Sequence, residues 1–377
     1  MAVLQRRLGF ELLGLVGGVF GASFLARSIL RHPQRARIAK RAVMTAAVAA
    51  PILLYPRKTF AGRAVVVTGG SRGLGLAIAR ALLKQNASVT LLARDADELD
   101  RAKALLHHQV PESANRVFTV HCDVTVCEQL DLALAEARAR FGRIDALINN
   151  AGSIAVGPFG TLDNEDFKDQ VNLHLRAVVE SMRLIHPYLH QNGGGHIVNI
   201  SSVGGLIPMP HMSAYNASKF ALGGFSEAVG AELRHEGIFV TTVYPGLMRT
   251  GSPIQAIFKG DPAKEYSWFS VSDNLPGLSM SADRAARQIL RAAANGQARL
   301  VLSLPAKLGN FVHAVFPEIF LTTMSLVTTL LPKGDSKERT TGAESREQLE
   351  AEGIHLPTEA ISRVAEAQNN QQPANQV

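Results

Sequence analysis

Residues 68–75 of this 377-residue chain read Thr68-Gly69-Gly70-Ser71-Arg72-Gly73-Leu74-Gly75. The β-branched run Ala64–Thr68 predicts a strand before this turn, and the Ala- and Leu-rich stretch Leu74–Gln85 predicts a helix after it. Its glycines allow a tight turn, let the backbone approach a pyrophosphate and let the helix pack close to the sheet. A bound anion would lie over the first free N–H groups of that helix. The turn therefore predicts a dinucleotide-binding site.

The same alternation of strand and helix continues along the chain. Further strands are expected at Ser88–Ala93, Val117–Cys122, Ala146–Asn149, His196–Ile200, Phe239–Tyr244 and Arg299–Leu304. The segments between them predict helices at Ala96–His107, Glu128–Phe141, Asp163–Leu189, Ala214–His235 and Ser281–Asn295. Strands that alternate with helices of this length predict a parallel sheet with right-handed crossovers. We therefore expect an α/β, doubly wound Rossmann fold, a three-layer sandwich that binds ligands at the carboxyl ends of its strands.

The end of the second strand bears on the choice of nucleotide. A site for NAD usually has an acidic residue there to hold the ribose 2′-hydroxyl. This chain has Arg94 instead, and Arg72 stands in the glycine-rich turn. Guanidinium groups pair well with phosphate oxygens, so the two arginines favour NADP, although Asp95 could pair with Arg94 and weaken its contribution.

A phenol and an amine follow at the spacing of one helical turn. Tyr215 and Lys219 lie on one face of a predicted helix, because they are four residues apart. A phenol has a pKa near 10 and is a poor acid or base at neutral pH, but a fixed cation nearby would lower that pKa. Ser202 precedes Tyr215 by thirteen residues at the end of a strand, and its hydroxyl could hold a substrate oxygen. Ser201 is the alternative, but the spacing to Tyr215 favours Ser202.

With these motifs in order, the chain over roughly Gly62–Thr250 resembles the short-chain dehydrogenase/reductase family. The resemblance implies NADP-dependent transfer of a hydride between a carbonyl and an alcohol. It also implies that Asn172, Ser202, Tyr215 and Lys219 form a catalytic tetrad. The residues implied to bind the cofactor are Gly69, Ser71, Arg72, Gly73, Leu74, Gly75, Arg94, Asp123, Val124, Asn150, Ala151, Gly152, Tyr215, Lys219, Pro245, Gly246 and Thr250. No metal site is expected.

The first 60 residues differ from the rest of the chain. Residues 1–63 carry eleven Lys and Arg and one acid, Glu11, so they account for more than the whole net charge of +7. A basic leader mixed with apolar runs indicates an anionic membrane surface rather than nucleic acid. Residues 8–26 would form a helix about 28 Å long, which just reaches across a bilayer's hydrocarbon. We expect a single span there, with the body on the cytoplasmic side.

Three other interpretations of residues 8–26 remain open. The segment could lie in the membrane interface as a helix or hairpin, it could be a cleaved signal peptide, or it could pack on protein. Dense positive charge directly after the apolar run speaks against export. Cys122 and Cys127 are expected to be reduced thiols, since they form neither a CxxC nor a Cys/His pattern.

These features predict four regions. They are a membrane-associated leader at 1–60, a Rossmann catalytic domain at 61–304, an apolar helical extension at 305–332 and a polar, disordered tail at 333–377. The resemblance implies that residues 251–280 form a lid over the substrate. The apolar and aromatic residues of this lid predict an apolar or lipid-like substrate. Alternatively, Trp268 and Phe269 pack the lid onto the body or contact another subunit.

Three functions from different classes fit the sequence. The first is a membrane-associated NADP(H)-dependent oxidoreductase that acts on a lipophilic small molecule. The second is a catalytically silent NADP-binding sensor or scaffold of the same fold. The third is an epimerase or dehydratase, which also uses Tyr and Lys, but the spacing of the glycine-rich turn argues against it. No nucleic-acid partner is expected, and the family resemblance implies a homodimer or homotetramer.

Overall fold

The structure, a computed structural model, describes residues 58–371. The predicted membrane span at residues 8–26 and nearly all of the leader lie outside the described residues. The strands are β1 (Ala64–Thr68), β2 (Ser88–Ala93), β3 (Val117–His121), β4 (Ala146–Asn149), β5 (Ala155–Val156), β6 (Gly195–Ile200), β7 (Ile238–Tyr244), β8 (Met248–Arg249), β9 (Ile257–Gly260), β10 (Met280–Ser281), β11 (Arg299–Val301) and β12 (Ser336–Thr341).

Seven of these strands form one parallel sheet in the order β11-β7-β6-β4-β1-β2-β3. Its helices are α1 (Gly73–Leu83), α2 (Ala96–Gln109), α3 (Cys127–Phe141), α4 (Asn164–Val171), α5 (Ala177–Gln191), α6 (Ser213–Leu233), α7 (Pro262–Asn274), α8 (Ala282–Ala294), α9 (Leu304–Val315), α10 (Pro317–Thr328), α11 (Gly342–Ala351) and α12 (Glu359–Gln368). The strand order reverses between β1 and β4. This is where a doubly wound sheet opens a crevice for ligands at its carboxyl edge.

Two apolar layers cover the sheet. On one face α1, α2 and α8 pack their apolar side chains against the strands. On the other face α3, α5 and α6 do the same. Strands buried on both faces read as continuous apolar runs, and β1 is buried at every position. The predicted α/β three-layer Rossmann fold is therefore confirmed.

Residues 333–377 were expected to form a disordered tail, but the described part, residues 333–371, contains a strand and two helices. β12 pairs antiparallel with β9, which pairs in turn with β5 in a second sheet of three strands. Arg339 of β12 donates to Asp166 (2.7 Å) and Asp169 (2.7 Å) on α4. Lys259 of β9, nearly fully buried, donates to Asp166 (2.7 Å) from the other side. Arg339, one of the polar side chains that suggested disorder, therefore forms ion pairs with residues far away in the sequence.

The apolar segment before β12 forms the helices α9 and α10, which meet at Phe316. Large apolar side chains on both helices are exposed, among them Leu308, Phe311, Ile319 and Leu326. Within residues 58–371, we find no single helix with the length and hydropathy of a membrane span. α9 and α10 meet those criteria only together, and they are bent by 119° at their junction.

Candidate active site

The glycine-rich turn is held against the ends of β1 and β4. The Thr68 hydroxyl accepts hydrogen bonds from the N–H groups of Asn150 (3.0 Å) and Ala151 (3.1 Å). The Asn150 side-chain amide donates in return to the Gly69 carbonyl (3.0 Å). Gly69 has φ +60°, and a Cβ there would lie 2.8 Å from the Ala151 Cα. Only glycine fits this position without moving the chain.

The helix that follows begins at Gly73. This glycine has φ +58°, and a Cβ on Gly75 would lie 2.1 Å from the Gly69 carbonyl oxygen. Leu74 and Gly75 are buried, so α1 approaches the sheet as closely as the motif requires. The first N–H groups of α1 therefore stand at the carboxyl edge of the sheet, where they can face an anion.

The arginine of the glycine-rich turn and the arginine that follows β2 differ in their exposure and in their ion-pair partners. Arg72 donates to Glu98 (3.0 Å), and the Ser71 hydroxyl donates to the same carboxylate (2.6 Å). The Arg94 side chain is 72% exposed, and its nearest ion-pair partner is an oxygen of Asp123 at 4.0 Å. Arg94 is therefore the guanidinium at this edge that remains open to a ligand.

Two neighbouring carboxylates shape the same corner. Asp95 accepts from the Glu98 N–H (2.8 Å) and caps α2, so it does not neutralise Arg94. Asp123 accepts from the N–H of Thr125 (2.9 Å), and Val124 between them is buried. Arg94 faces Asp123 at 4.0 Å but is otherwise exposed, so its guanidinium could pair with a phosphate oxygen. The donors of this corner and the glycine turn thus fit a phosphorylated dinucleotide.

Helix α6 and the end of β6 bring Ser202, Tyr215 and Lys219 together, and we call these three residues the polar centre. The Ser202 hydroxyl is hydrogen-bonded to the Tyr215 phenol and accepts from the Gly204 N–H (3.1 Å). The Ser201 hydroxyl instead donates to the Lys219 carbonyl (2.9 Å). Of the two serines, Ser202 is thus the one that contacts the phenol. The Lys219 ammonium lies 5.7 Å from the centre of the Tyr215 ring and donates to the Ile200 carbonyl (3.0 Å).

Burial sets the proton affinities of this centre. Burial raises the pKa of Tyr215 to about 12, although the hydrogen bond from Ser202 opposes the shift. Burial also lowers the pKa of Lys219 to about 7. The sequence had predicted that the lysine would lower the phenol pKa, but in the folded chain the loss of hydration raises it. The phenol is therefore protonated at neutral pH and is arranged to donate a proton.

Asn172 lies where one predicted helix is interrupted. The segment expected to be a single helix at Asp163–Leu189 forms α4, a π-helical turn at Asn172–Arg176, and α5. Such turns change the direction of the following side chains. Asn172 is half-buried at the start of the turn. Among the described residues, no hydrogen bond joins the Asn172 side chain to Tyr215 or Lys219.

Sequence reasoning missed His174, which lies in the same π-helical turn. Its Nε2 accepts from the Ser153 N–H (3.2 Å), and its Nδ1 lies 2.8 Å from the Ser218 hydroxyl. Burial lowers the pKa of His174 well below its usual value, so the ring is neutral. The ring packs edge-on against Tyr215 at 5.5 Å and supports the phenol. A single histidine on a helix carries no sequence signal of such a role.

The loop after β7 closes the other side of the centre. The Pro245 carbonyl accepts from the Val203 N–H (2.7 Å), and a Cβ on Gly246 would lie 2.9 Å from the Ser303 hydroxyl. Thr250 is buried, and its hydroxyl donates to that of Ser252 (2.9 Å). These contacts fix the Pro-Gly loop beside Ser202, on the same edge as the glycine-rich turn.

Asp273 of α7 is a second residue that sequence reasoning missed. Its carboxylate accepts from the Met248 N–H (3.1 Å) and is almost fully buried. Burial raises the pKa of Asp273 to about 7, and its negative charge raises the pKa of Tyr215. Asp273 is one acid within residues 251–280, a segment singled out for its apolar and aromatic side chains, so no motif identified it.

One group of possible metal ligands lies outside this centre. Among residues 58–371, His186, His190 and Glu236 bring three ligand atoms within 4.8 Å of one another. The histidines precede β6 and the glutamate precedes β7, so the group stands at the amino edge of the sheet. The cluster of Ser202, Tyr215 and Lys219 stands at the opposite, carboxyl edge.

Comparison with known proteins gives the family. The short chain dehydrogenase family matches residues 63–256. "Oxidoreductase BOA17" of Botryotinia fuckeliana is 35% identical over 67% of this chain and 84% of its own length. "Fatty acyl-CoA reductase" of Acinetobacter baylyi is 31% identical over 73% of this chain and 88% of its own length.

Solved structures agree with the sequence relatives. L-sorbose reductase from Gluconobacter frateurii, complexed with NADPH and L-sorbose, superposes with a TM-score of 0.58 at 27% identity. The match covers 66% of this chain and 97% of that one. The fold, the glycine-rich turn and the matched family agree over the same residues. The chain therefore belongs to the short-chain dehydrogenase family.

Proposed function

We propose that this protein is an NADP(H)-dependent oxidoreductase that interconverts a carbonyl and an alcohol on an apolar or lipid-like substrate. The observation that carries the proposal is the cluster at the carboxyl edge of the sheet. There the Tyr215 phenol is hydrogen-bonded to Ser202 and lies one helical turn from Lys219, on the same edge of the sheet as the glycine-rich turn. Membership of an oxidoreductase family agrees with this chemistry.

In the reductive direction, the nicotinamide supplies a hydride to the carbonyl carbon when the cofactor is bound. Ser202 and Tyr215 present their hydroxyl groups to the carbonyl oxygen and hold it. Tyr215 is protonated at neutral pH and donates its proton to that oxygen, which completes the alcohol. The Lys219 ammonium stabilises the phenolate that remains, and Asn172 is the residue through which we expect Lys219 to regain protons from solvent. Alcohol oxidation is the reverse of the same steps.

NADP is the proposed cofactor because of the charge at the end of β2. Arg94 is exposed there, while Asp95 is engaged as the cap of α2. Arg72 stands close by, although Glu98 holds part of its charge. A relative of the same fold was solved with NADPH, which supports the choice.

An apolar substrate is proposed from the lid. Phe258, Tyr266, Phe269 and Ile254 form one apolar cluster with Tyr215, so the wall next to the phenol is hydrophobic. Trp268 packs edge-on against Phe269 and donates to Glu265 (2.6 Å), so these two aromatics also hold the lid together. A relative with a fatty acyl-CoA as its named substrate agrees with a lipid-like chain in this place.

Membrane association is part of the same proposal. It is supported by the basic, apolar leader and by the exposed apolar side chains of α9 and α10. A surface of that kind would let a lipophilic substrate pass from a bilayer to the lid. We further propose that the catalytic domain lies on the cytoplasmic side and that the protein forms a dimer or tetramer.

The experiment is an assay of NADPH oxidation with a panel of hydrophobic aldehydes and ketones. NADH at equal concentration, and a short hydrophilic sugar ketone, serve as the comparisons. We expect turnover with NADPH and the long-chain carbonyls. Normal NADPH binding without turnover on any carbonyl would favour the silent sensor of the same fold.

A further inference from the structure

The C-terminal end of the described chain reaches the glycine-rich turn. The carbonyl oxygen of Asn369, which follows α12, accepts a hydrogen bond from the Gly73 N–H at 2.9 Å. The Gln371 side-chain nitrogen lies 3.1 Å from the point where a Cβ on Gly73 would stand, and Thr250 lies 3.9 Å from the same point. Gln371 and Thr250 of the loop after β7 therefore both lie next to Gly73. We call residues 369–371 the C-terminal clasp.

Asn370 fastens this clasp to the turn. Its side-chain amide donates to the carbonyl oxygens of Ser71 (2.9 Å) and Glu98 (3.1 Å). The residue has φ +55°, a conformation in which asparagine is one of the few tolerated side chains. Arg80 of α1 donates to the Gln368 carbonyl (2.8 Å) directly before the clasp. All three clasp residues are buried.

The position of the clasp conflicts with the proposed phosphate site. The Gly73 N–H is among the first donors of α1, which stand where an anion would bind. The Asn369 carbonyl already accepts from it, and a carbonyl oxygen carries partial negative charge. A phosphate oxygen cannot accept the same hydrogen bond. The Asn369 carbonyl oxygen and a phosphate oxygen placed next to this N–H would also repel each other. We propose that the C-terminal clasp competes with the cofactor's phosphates, so that NADPH binds only when residues 369–371 leave the turn.

Helix α12, which carries the clasp, buries little apolar surface, so its release requires little free energy. Ala365 is its only buried apolar side chain, and its other buried residues, Ser362 and Glu366, are polar. Two ion pairs, Arg346–Glu366 (2.9 Å) and the more exposed Arg363–Glu350 (3.0 Å), hold it to α11. A cleft of about 380 Å³ separates α12 from the start of α8. Little apolar surface is therefore exposed when the clasp leaves, and segments of this kind open locally without unfolding the domain.

The inference rests on the proposed cofactor site, and the Asn370→Ala variant of the full-length chain tests it. Loss of the two amide hydrogen bonds weakens clasp docking, so we expect NADPH to bind about 5- to 30-fold more tightly. In the absence of cofactor, hydrogen exchange at Gly73 should become faster. The matched control is Asn295→Ala, which removes a similar side-chain bond to a backbone carbonyl (2.8 Å) at the end of α8.

Gln371→Ala is a second variant, useful if Asn370→Ala does not fold. The Gln371 side-chain oxygen is buried without a hydrogen-bond partner among the described residues, so its removal costs the fold little. The variant removes the side-chain nitrogen that lies 3.1 Å from the Cβ position of Gly73, so it should also tighten NADPH binding, by a smaller factor than Asn370→Ala.

Three results would overturn the inference. If exchange at Gly73 becomes faster while NADPH affinity is unchanged, the clasp does not compete with the cofactor. If either variant binds NADPH more weakly, the clasp closes over the cofactor instead. If neither the parent protein nor Asn370→Ala binds NADPH, although exchange at Gly73 differs between them, the proposed function fails and competition fails with it.

Discussion

Arg94→Ala should change the affinity for NADPH and leave the affinity for NADH as it is. The Arg94 side chain is 72% exposed, and its nearest acidic partner lies 4.0 Å away, so its charge is available to a 2′-phosphate. A hydrogen bond to a charged group contributes about 1.5–3 kcal/mol, and exposure to solvent reduces this to about 1–2 kcal/mol. We therefore expect the NADPH dissociation constant to rise about 5- to 30-fold.

The assay is titration of nicotinamide fluorescence at fixed ionic strength, with Arg140→Ala as an exposed arginine on α3 for comparison. Arg72→Ala should have a smaller effect than Arg94→Ala, because Glu98 already holds the Arg72 guanidinium at 3.0 Å. A parallel loss of NADPH and NADH affinity in Arg94→Ala would refute the assignment of this residue to the 2′-phosphate. No change in either affinity would do the same.

Three further predictions concern pH and stability. Burial raises the pKa of Asp273 to about 7, above the pKa of the same side chain in the unfolded protein, so ionisation of Asp273 destabilises the fold as the pH rises. Asp273→Asn should therefore raise the melting temperature at pH 8 but not at pH 4. Equal shifts of the melting temperature at both pH values would contradict this. Burial lowers the pKa of Lys219 to about 7, so the ammonium loses its charge above neutral pH. The kcat/KM for carbonyl reduction should therefore fall as the pH rises through 7, and it should fall less in Lys219→Arg. A kcat/KM that does not change with pH would exclude this role of the cation. Arg339→Ala leaves the buried Asp166 with one cation fewer. The free energy of unfolding in urea should fall by about 1–2 kcal/mol, and it should change little in the control variant Arg363→Ala, whose arginine is exposed. Equal losses of unfolding free energy in the two variants would contradict this.

The sheet could be predicted from the sequence because each strand is a local, apolar run. β1, β2 and β4 have the predicted ends, and β3 differs by one residue. Burial on both faces leaves an unbroken apolar pattern in such strands, and glycine marks the turn that follows β1. The π-helical turn at Asn172 could not be predicted, since it changes only the register of backbone hydrogen bonds.

The C-terminal region could not be predicted, because its contacts are not local. Arg339 meets Asp166 across a separation of 173 residues, and nothing in a polar stretch identifies its distant partner. The acidity of Tyr215 was misjudged for a related reason. Spacing shows that Lys219 is near, but only packing shows that both groups lose their hydration. Proximity follows from sequence periodicity, whereas burial requires the assembled fold.

The most direct test of the account is single-turnover reduction of a hydrophobic aldehyde by Tyr215→Phe, with bound NADPH followed by absorbance. Because the phenol is the proposed proton donor, its removal should slow the step by about 10²- to 10⁴-fold in protein that is saturated with NADPH. A Tyr215→Phe protein that oxidises NADPH at the parent rate would contradict the assignment of Tyr215 as the acid, and with it the proposed chemistry.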